Sequence, residues 1–201
     1  MNLALAATTF AVVLPAELPD KTFIATIVMG SRQRPLPVWI GTAAGLVLQA
    51  AIAVVAGRLL ALLPHRAVEG IVAGLFLLGG AYLLFIPEKR EEAGAKEIEA
   101  KEAAQVGEAP ARNLKVALTA FSVVALAEFG DLTQVIVANF TARTKDALSV
   151  FLGAAVAFVV ISGFGVLAGR TLVRYVPLSL IRRLSGLLLC GLGIYSLVQA
   201  A

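Results

Sequence analysis

Long apolar runs separated by short polar breaks dominate the chain: Leu3–Gly30, Leu36–Leu63, Ala67–Ile86, Leu114–Thr141, Ala147–Val173 and Leu178–Ala201. Each reaches the roughly 20 residues that a helix needs to cross about 30 Å of hydrocarbon. Together they occupy nearly all of the 201 residues and leave no room for a soluble domain. The pattern predicts an all-α polytopic membrane protein with six transmembrane helices. One longer polar stretch, from Pro87 to Asn113, interleaves glutamate, lysine and alanine. It reads as a tether, either a solvated helix or a disordered linker. The organisation expected is therefore residues 1–86, a linker 87–113, and residues 114–201.

The two apolar halves resemble each other. Glu17-Leu18-Pro19-Asp20 recurs as Glu128-Phe129-Gly130-Asp131, and Trp39-Ile40-Gly41 as Phe151-Leu152-Gly153. Ala56-Gly57-Arg58 matches Ala168-Gly169-Arg170, and Gly80-Ala81-Tyr82 matches Gly193-Ile194-Tyr195. The offset stays between 111 and 113 residues, which makes each half one copy of a three-helix unit. An odd number of crossings sends the second copy into the membrane from the opposite side. Two inverted three-helix repeats are expected, an arrangement that places a binding site at the repeat interface near the midplane.

Composition agrees with the membrane reading and charge orients it. Hydrophobic residues make up 59% of the chain, charged residues 15%, and the mean hydropathy is +0.89. If the six runs alternate, twelve Lys and Arg residues fall on the linker's side and four on the other, with Lys21 inside the repeated motif. The positive-inside rule then makes the linker cytoplasmic and both termini external. The net charge of +4 comes with no basic stripe of interleaved aromatics, so nucleic acid is not an expected partner. The first run carries Glu17 and Asp20 and lacks a basic start, and is expected to be a retained helix. A single cysteine, Cys190, excludes an internal disulfide. These features fit the plasma (inner) membrane of a prokaryote, and self-association is left open.

The chemistry sits in the repeated motif. Carboxylates at membrane depth are costly and mark function by default. At 3.6 residues per turn, Glu17 and Asp20 share a helix face, as do Glu128 and Asp131. Pro15 and Pro19 remove backbone donors from the first helix, and Gly130 permits a similar departure in the second. The candidate donors are Glu17, Asp20, Glu128 and Asp131, the hydroxyls of Thr22 and Thr133, and the amide of Gln134. All are hard oxygen donors, suited to Ca²⁺, Mn²⁺ or Mg²⁺ rather than zinc or copper. Four carboxylates less the ammonium of Lys21, which tunes the charge, leave −3. Such crowding predicts that the empty set holds at least one proton, which a divalent cation would expel. In an alternative, the carboxylates only cap helix ends and the apolar runs break there; the doubled cost of burial weighs against it.

Other polar or small residues carry less. Gly41-xxx-Gly45 and Gly70-xxx-Gly74 read as helix packing. Gln49 and Asn139 are expected to bond between helices, and Trp39 to anchor a span end. No phosphate loop or nucleophile–base pair is present, so neither an enzyme nor an ATP-driven pump is expected, and no cofactor.

The doubled motif resembles E-x-G-D-[KR]-[ST], the signature of the GDT-type cation/proton exchanger family, across essentially the whole chain. Pro19 stands where that signature has glycine, and Leu132 where it has a basic residue. The resemblance implies a secondary transporter exchanging Mn²⁺ or Ca²⁺ for protons, with cation efflux from the cytoplasm. It places the acidic pairs on Glu17 with Asp20 and Glu128 with Asp131, and the hydroxyls on Thr22 and Thr133. Two alternatives remain beside it. One is an exporter of small organic cations or amino acids, which predicts aromatic or amide groups around the acids. The other is a non-transporting membrane subunit whose acids pair with a partner.

Overall fold

The structure, a computed structural model, describes residues 1–17, 21–85, 113–167 and 178–200. The helices are α1 (Leu3–Glu17), α2 (Lys21–Arg32), α3 (Pro35–Leu60), α4 (His65–Phe85), α5 (Asn113–Ala127), α6 (Leu132–Thr144), α7 (Ala147–Leu167) and α8 (Leu178–Ala200). No strand occurs among the described residues, and the expected tether lies outside them except for Asn113. The all-helical class is as the apolar pattern predicts. α3 and α7 are each long and apolar enough to cross a membrane, with mean hydropathy 2.0 and 2.5. α5 and α6 together form a third such stretch, bent by 73° at the break between them.

Side-chain size sorts inside from outside. Along α3 the buried positions include Gly41, Gly45, Ala53 and Gly57. The exposed ones, at helical spacing, include Leu36, Ile40, Leu48, Val55 and Leu59. α7 repeats this, burying Gly153, Ala154, Ala157 and Gly165 and exposing Leu148, Leu152 and Val156. Helices apolar all round, with small residues inward and large ones outward, suit a lipid surround, where close backbone packing replaces the hydrophobic effect between helices.

α3 lies against α2, α5, α6 and α7, while α1 packs on α7. At Gly41 a Cβ would collide with the carbonyl oxygen of Ala117 on α5, and at Gly153 with that of Ala6 on α1. The two contacts exchange under the 111–112-residue offset of the sequence repeat. Gly80 against Cys190, and Gly193 against Leu77, exchange in the same way under an offset of 113. Gly70 and Gly74 depart from expectation, because a side chain at either would meet nothing within 4 Å. Their spacing therefore packs against none of the described residues.

α4 and α8 form a pair of their own, which meets the remaining helices mainly through α4 on α6 and α8 on α1. Trp39, expected as an anchor, also ties α3 to α7 by donating its indole N–H to the Val159 carbonyl at 3.0 Å. Between α6 and α7, Asp146 accepts from the Ser149 backbone N–H at 3.1 Å and from its hydroxyl at 2.6 Å. The Ser149 hydroxyl, then its N–H, hold the Asp146 carboxyl below the usual carboxylate range. A depressed carboxyl stabilises the fold above its unfolded value, and that contribution fades as pH falls through the lowered one.

Gly153→Val is expected to lower stability by about 1–3 kcal/mol through overpacking against α1. Gly70→Ala should leave the melting temperature unchanged or slightly raised. Thermal unfolding of the detergent-purified variants checks both.

Candidate cation site

The first copy of the acidic motif lies at the end of α1 and the second at a helix break. α1 ends at Glu17, two residues after Pro15 inside the helix, and α2 starts at Lys21. Leu18, Pro19 and Asp20 lie outside the described residues, as does the side chain of Lys21, and with them the expected roles of Asp20, Lys21 and the Pro19 break. In the second copy α5 stops at Ala127, and Glu128-Phe129-Gly130 makes a turn before α6. Gly130 has φ +82°, a region that L side chains rarely adopt. The turn closes with the Asp131 N–H donating to the Glu128 carbonyl at 3.2 Å.

This corrects the expectation that Glu128 and Asp131 share a helix face; a turn brings them together instead. Asp131 is the N-cap of α6, accepting from the backbone N–H of Thr133 at 3.2 Å and from its hydroxyl at 3.1 Å. Capping and helix breaks, the marks of the bland alternative, are therefore real features of the second motif. They do not exhaust it. Glu17, Glu128 and Asp131 each offer a carboxylate oxygen, and these atoms all lie within 4.8 Å of one another. Glu17 and Glu128 are each only 2% exposed.

Three carboxylates from opposite ends of the sequence thus share one small volume. Two like charges about 5 Å apart repel by about 3 kcal/mol even at an effective dielectric of about 20. The N-terminus of α6 offsets part of this at Asp131, whereas the C-terminal ends of α1 and α5 bring further partial negative charge. Positive charge brought among these oxygens, as protons or as a cation, relieves that repulsion. The donors are hard oxygens, and no histidine or thiol joins them in the described cluster.

The remaining candidates fall around this group in different ways. Thr133 is buried with its hydroxyl on Asp131. Thr22 is buried in the first turn of α2, and its carbonyl accepts from the Thr26 hydroxyl at 2.7 Å. Gln134 acts on the backbone of the break. Its amide oxygen accepts from the Gly130 N–H at 3.1 Å, and its nitrogen donates to the Glu128 carbonyl at 2.9 Å and to the Gln49 amide oxygen at 2.5 Å. Gln49, from α3, donates in turn to the Ala125 carbonyl, so it does bond between helices as expected. The two amides splint the carbonyl and N–H groups that the broken helix leaves open. Asn139 differs from expectation by accepting from Arg143 of its own helix at 3.1 Å.

Sequence reasoning passed over one buried charge. Glu69, fully buried on α4, pairs with Arg143 at the end of α6. A carboxylate two residues inside the predicted run Ala67–Ile86 was the available signal.

Residues 5–91 and 116–201 match the family described as divalent cation/proton antiporter GDT1. The chain belongs to that family. Each matched segment contains one acidic motif, so the cluster draws on both. Among its GDT1 relatives are GDT1-like protein 3 of Arabidopsis thaliana and a GDT1-like protein of Synechocystis sp. The first is 25% identical over 93% of this chain and 68% of its own length. The second is 26% identical over 86% of both chains. GDT1-like protein 3 of Oryza sativa subsp. indica is 26% identical over 92% of this chain and 70% of its own. No solved structure matches the chain. Membership in the GDT1 family makes this a membrane transporter of the cation/proton antiporter class.

Gly130→Val is expected to strain the turn by about 1–2 kcal/mol. It should also shrink the rise in melting temperature that Mn²⁺ or Ca²⁺ gives the wild-type protein, as read by thermal shift at fixed ion concentration.

Proposed function

We propose that this antiporter exchanges Mn²⁺ or Ca²⁺ for protons and carries the cation out of the cytoplasm. The observation that carries the reading is the convergence of Glu17 with Glu128 and Asp131 within 4.8 Å. Neither half alone supplies a site, and the two together supply hard oxygens with an excess of negative charge. A divalent cation neutralises that charge in one step, and protons neutralise it in another. Exchange follows because cation and protons compete for the same oxygens.

In this reading Glu17, Asp20, Glu128 and Asp131 bind the ion and trade it for protons. Thr22, Thr133 and Gln134 complete or orient the donors, and Lys21 trims the charge. The chain crosses the membrane six times as two inverted three-helix repeats joined by the 87–113 linker. The exchanged contacts at Gly41 and Gly153, and at Gly80 and Gly193, support that symmetry. The excess of Lys and Arg on the linker's side supports a cytoplasmic linker and external termini, in the plasma membrane of a prokaryote. The absence of histidine and thiol from the described cluster favours Mn²⁺ and Ca²⁺ over softer ions.

Purified protein in liposomes loaded with a pH dye tests the proposal. Added Mn²⁺ or Ca²⁺ should drive proton movement, and competition ranks the ions. Glu17→Gln and Asp131→Asn should each lower the flux at least as far as the roughly 10–100-fold lost with an outer partner of a bound metal. Flux that ignores a pH gradient, or that survives both substitutions, contradicts the proposal.

A further inference from the structure

Arg143 stands where the α4–α8 pair meets the rest of the bundle. Its guanidinium donates to the buried carboxylate of Glu69 on α4 and to the Ser196 hydroxyl on α8 at 2.7 Å. It also lies over the Tyr195 ring of α8, 5.0 Å from the centroid. Its own helix steadies it through Asn139 at 3.1 Å. One side chain of α6 therefore grips both members of the pair, through a bond to a 0% exposed glutamate and a 1% exposed serine. Charge-assisted bonds in such surroundings are strong, and each is lost if the helices part.

α6 also leads from the carboxylates to this grip. Asp131, Gln134, Val135 and Ala138 border a cavity of about 270 Å³ between α6, α3 and α4. Farther along the same helix, Ala142, Arg143 and Lys145 border a second cavity of about 320 Å³ together with Glu69. Leu60 of α3 is a wall of both cavities. At helical rise, Asp131 and Arg143 are about 18 Å apart along the axis. The seam between α6 and the α3–α4 corner thus runs from the carboxylates to the Glu69–Arg143 pair.

The sequence repeat makes the pair one-sided. Under the offsets of 111 and 113 residues, Arg143 corresponds to Arg32 and Glu69 to Arg182. Two arginines repel where glutamate and arginine attract, so the equivalent positions at the other end carry no sequence for such a pair.

The geometry points to the Glu69–Arg143 pair as the latch of an ion pathway along this seam. Closed, it holds the α4–α8 pair against α6 at the end of the bundle away from the linker. Released, it lets that pair move and opens the seam to the carboxylates. Because the other end lacks the equivalent pair, the resting protein faces the linker's side. This rests on the antiporter reading and on the inverted repeat, and adds to them the elements that move and the contact that controls them.

The test uses Cys190→Ala protein carrying Ala56→Cys, a position that lines the inner cavity. The rate of its modification by a charged, membrane-impermeant methanethiosulfonate reports how often the seam opens, with no ion turnover required. Arg143→Gln, or Glu69→Gln, is expected to speed modification roughly fivefold or more. The exchanged pair Glu69→Arg with Arg143→Glu should restore the slow rate. Ser196→Ala removes the weaker arm without burying a lone charge, and should give a smaller increase in the same direction. Equal rates in wild type, Ser196→Ala and whichever charge variants fold would overturn the latch. Faster modification in a protein that moves no divalent cation in liposomes would sink the transport reading and leave the latch standing.

Discussion

Repulsion among the carboxylates of Glu17, Glu128 and Asp131 is the constraint to which the rest of the structure answers. Three acidic groups within 4.8 Å, two of them almost fully buried, repel one another and attract positive charge. A protein folded for stability alone would disperse them. Here the chain breaks the helix between α5 and α6 beside them, and it supports the open backbone with side-chain amides. The second break is held by the Asp131 cap, by Gly130 at φ +82° and by the Gln49–Gln134 amide pair. The proposed exchange rests on this property, because oxygens that attract positive charge can take it as a proton or as a cation.

The surrounding bundle makes such a site affordable by packing backbone on backbone. Gly41 and Gly153 let α5 and α1 come to carbonyl contact with α3 and α7. Apolar residues such as Val13, Val124, Ile136 and Phe158 fill the core of the helices that carry the acids and of α7. That low-dielectric wall sharpens both the repulsion and the attraction for a cation. The α4–α8 pair joins this core through Val72, Phe76 and Leu189, packs mainly on itself, and has Arg143 as a prominent polar link to α6.

Much of this was legible in the sequence because membrane sequences state their constraints openly. Run lengths gave the helical class, and the doubled motif gave the residues that the structure brings together. The exact path of the backbone was not legible. Residues three apart are neighbours on a helix and also across a turn, so Glu128 and Asp131 met the expected pairing by a different route. The task of Gln134 depends on which carbonyls a break leaves open, which only the fold decides. Asn139 reads as bonding between helices, yet its oxygen accepts from Arg143 four residues on in the same helix. The Glu69–Arg143 pair joins residues 74 positions apart, and spacing alone carries no sign of such a partner. Gly70 and Gly74 illustrate the reverse case, a packing pattern with no described neighbour against it.

The central claim is that cation and proton occupy the same three-carboxylate site in turn. Its most direct measurement is proton release on ion binding, read with a pH dye in weakly buffered, detergent-solubilised protein titrated with Mn²⁺ or Ca²⁺. The account predicts a release that saturates with the bound ion and disappears in Glu128→Gln. Saturable binding that releases no proton would show that the two ligands do not share the site, and would contradict the account.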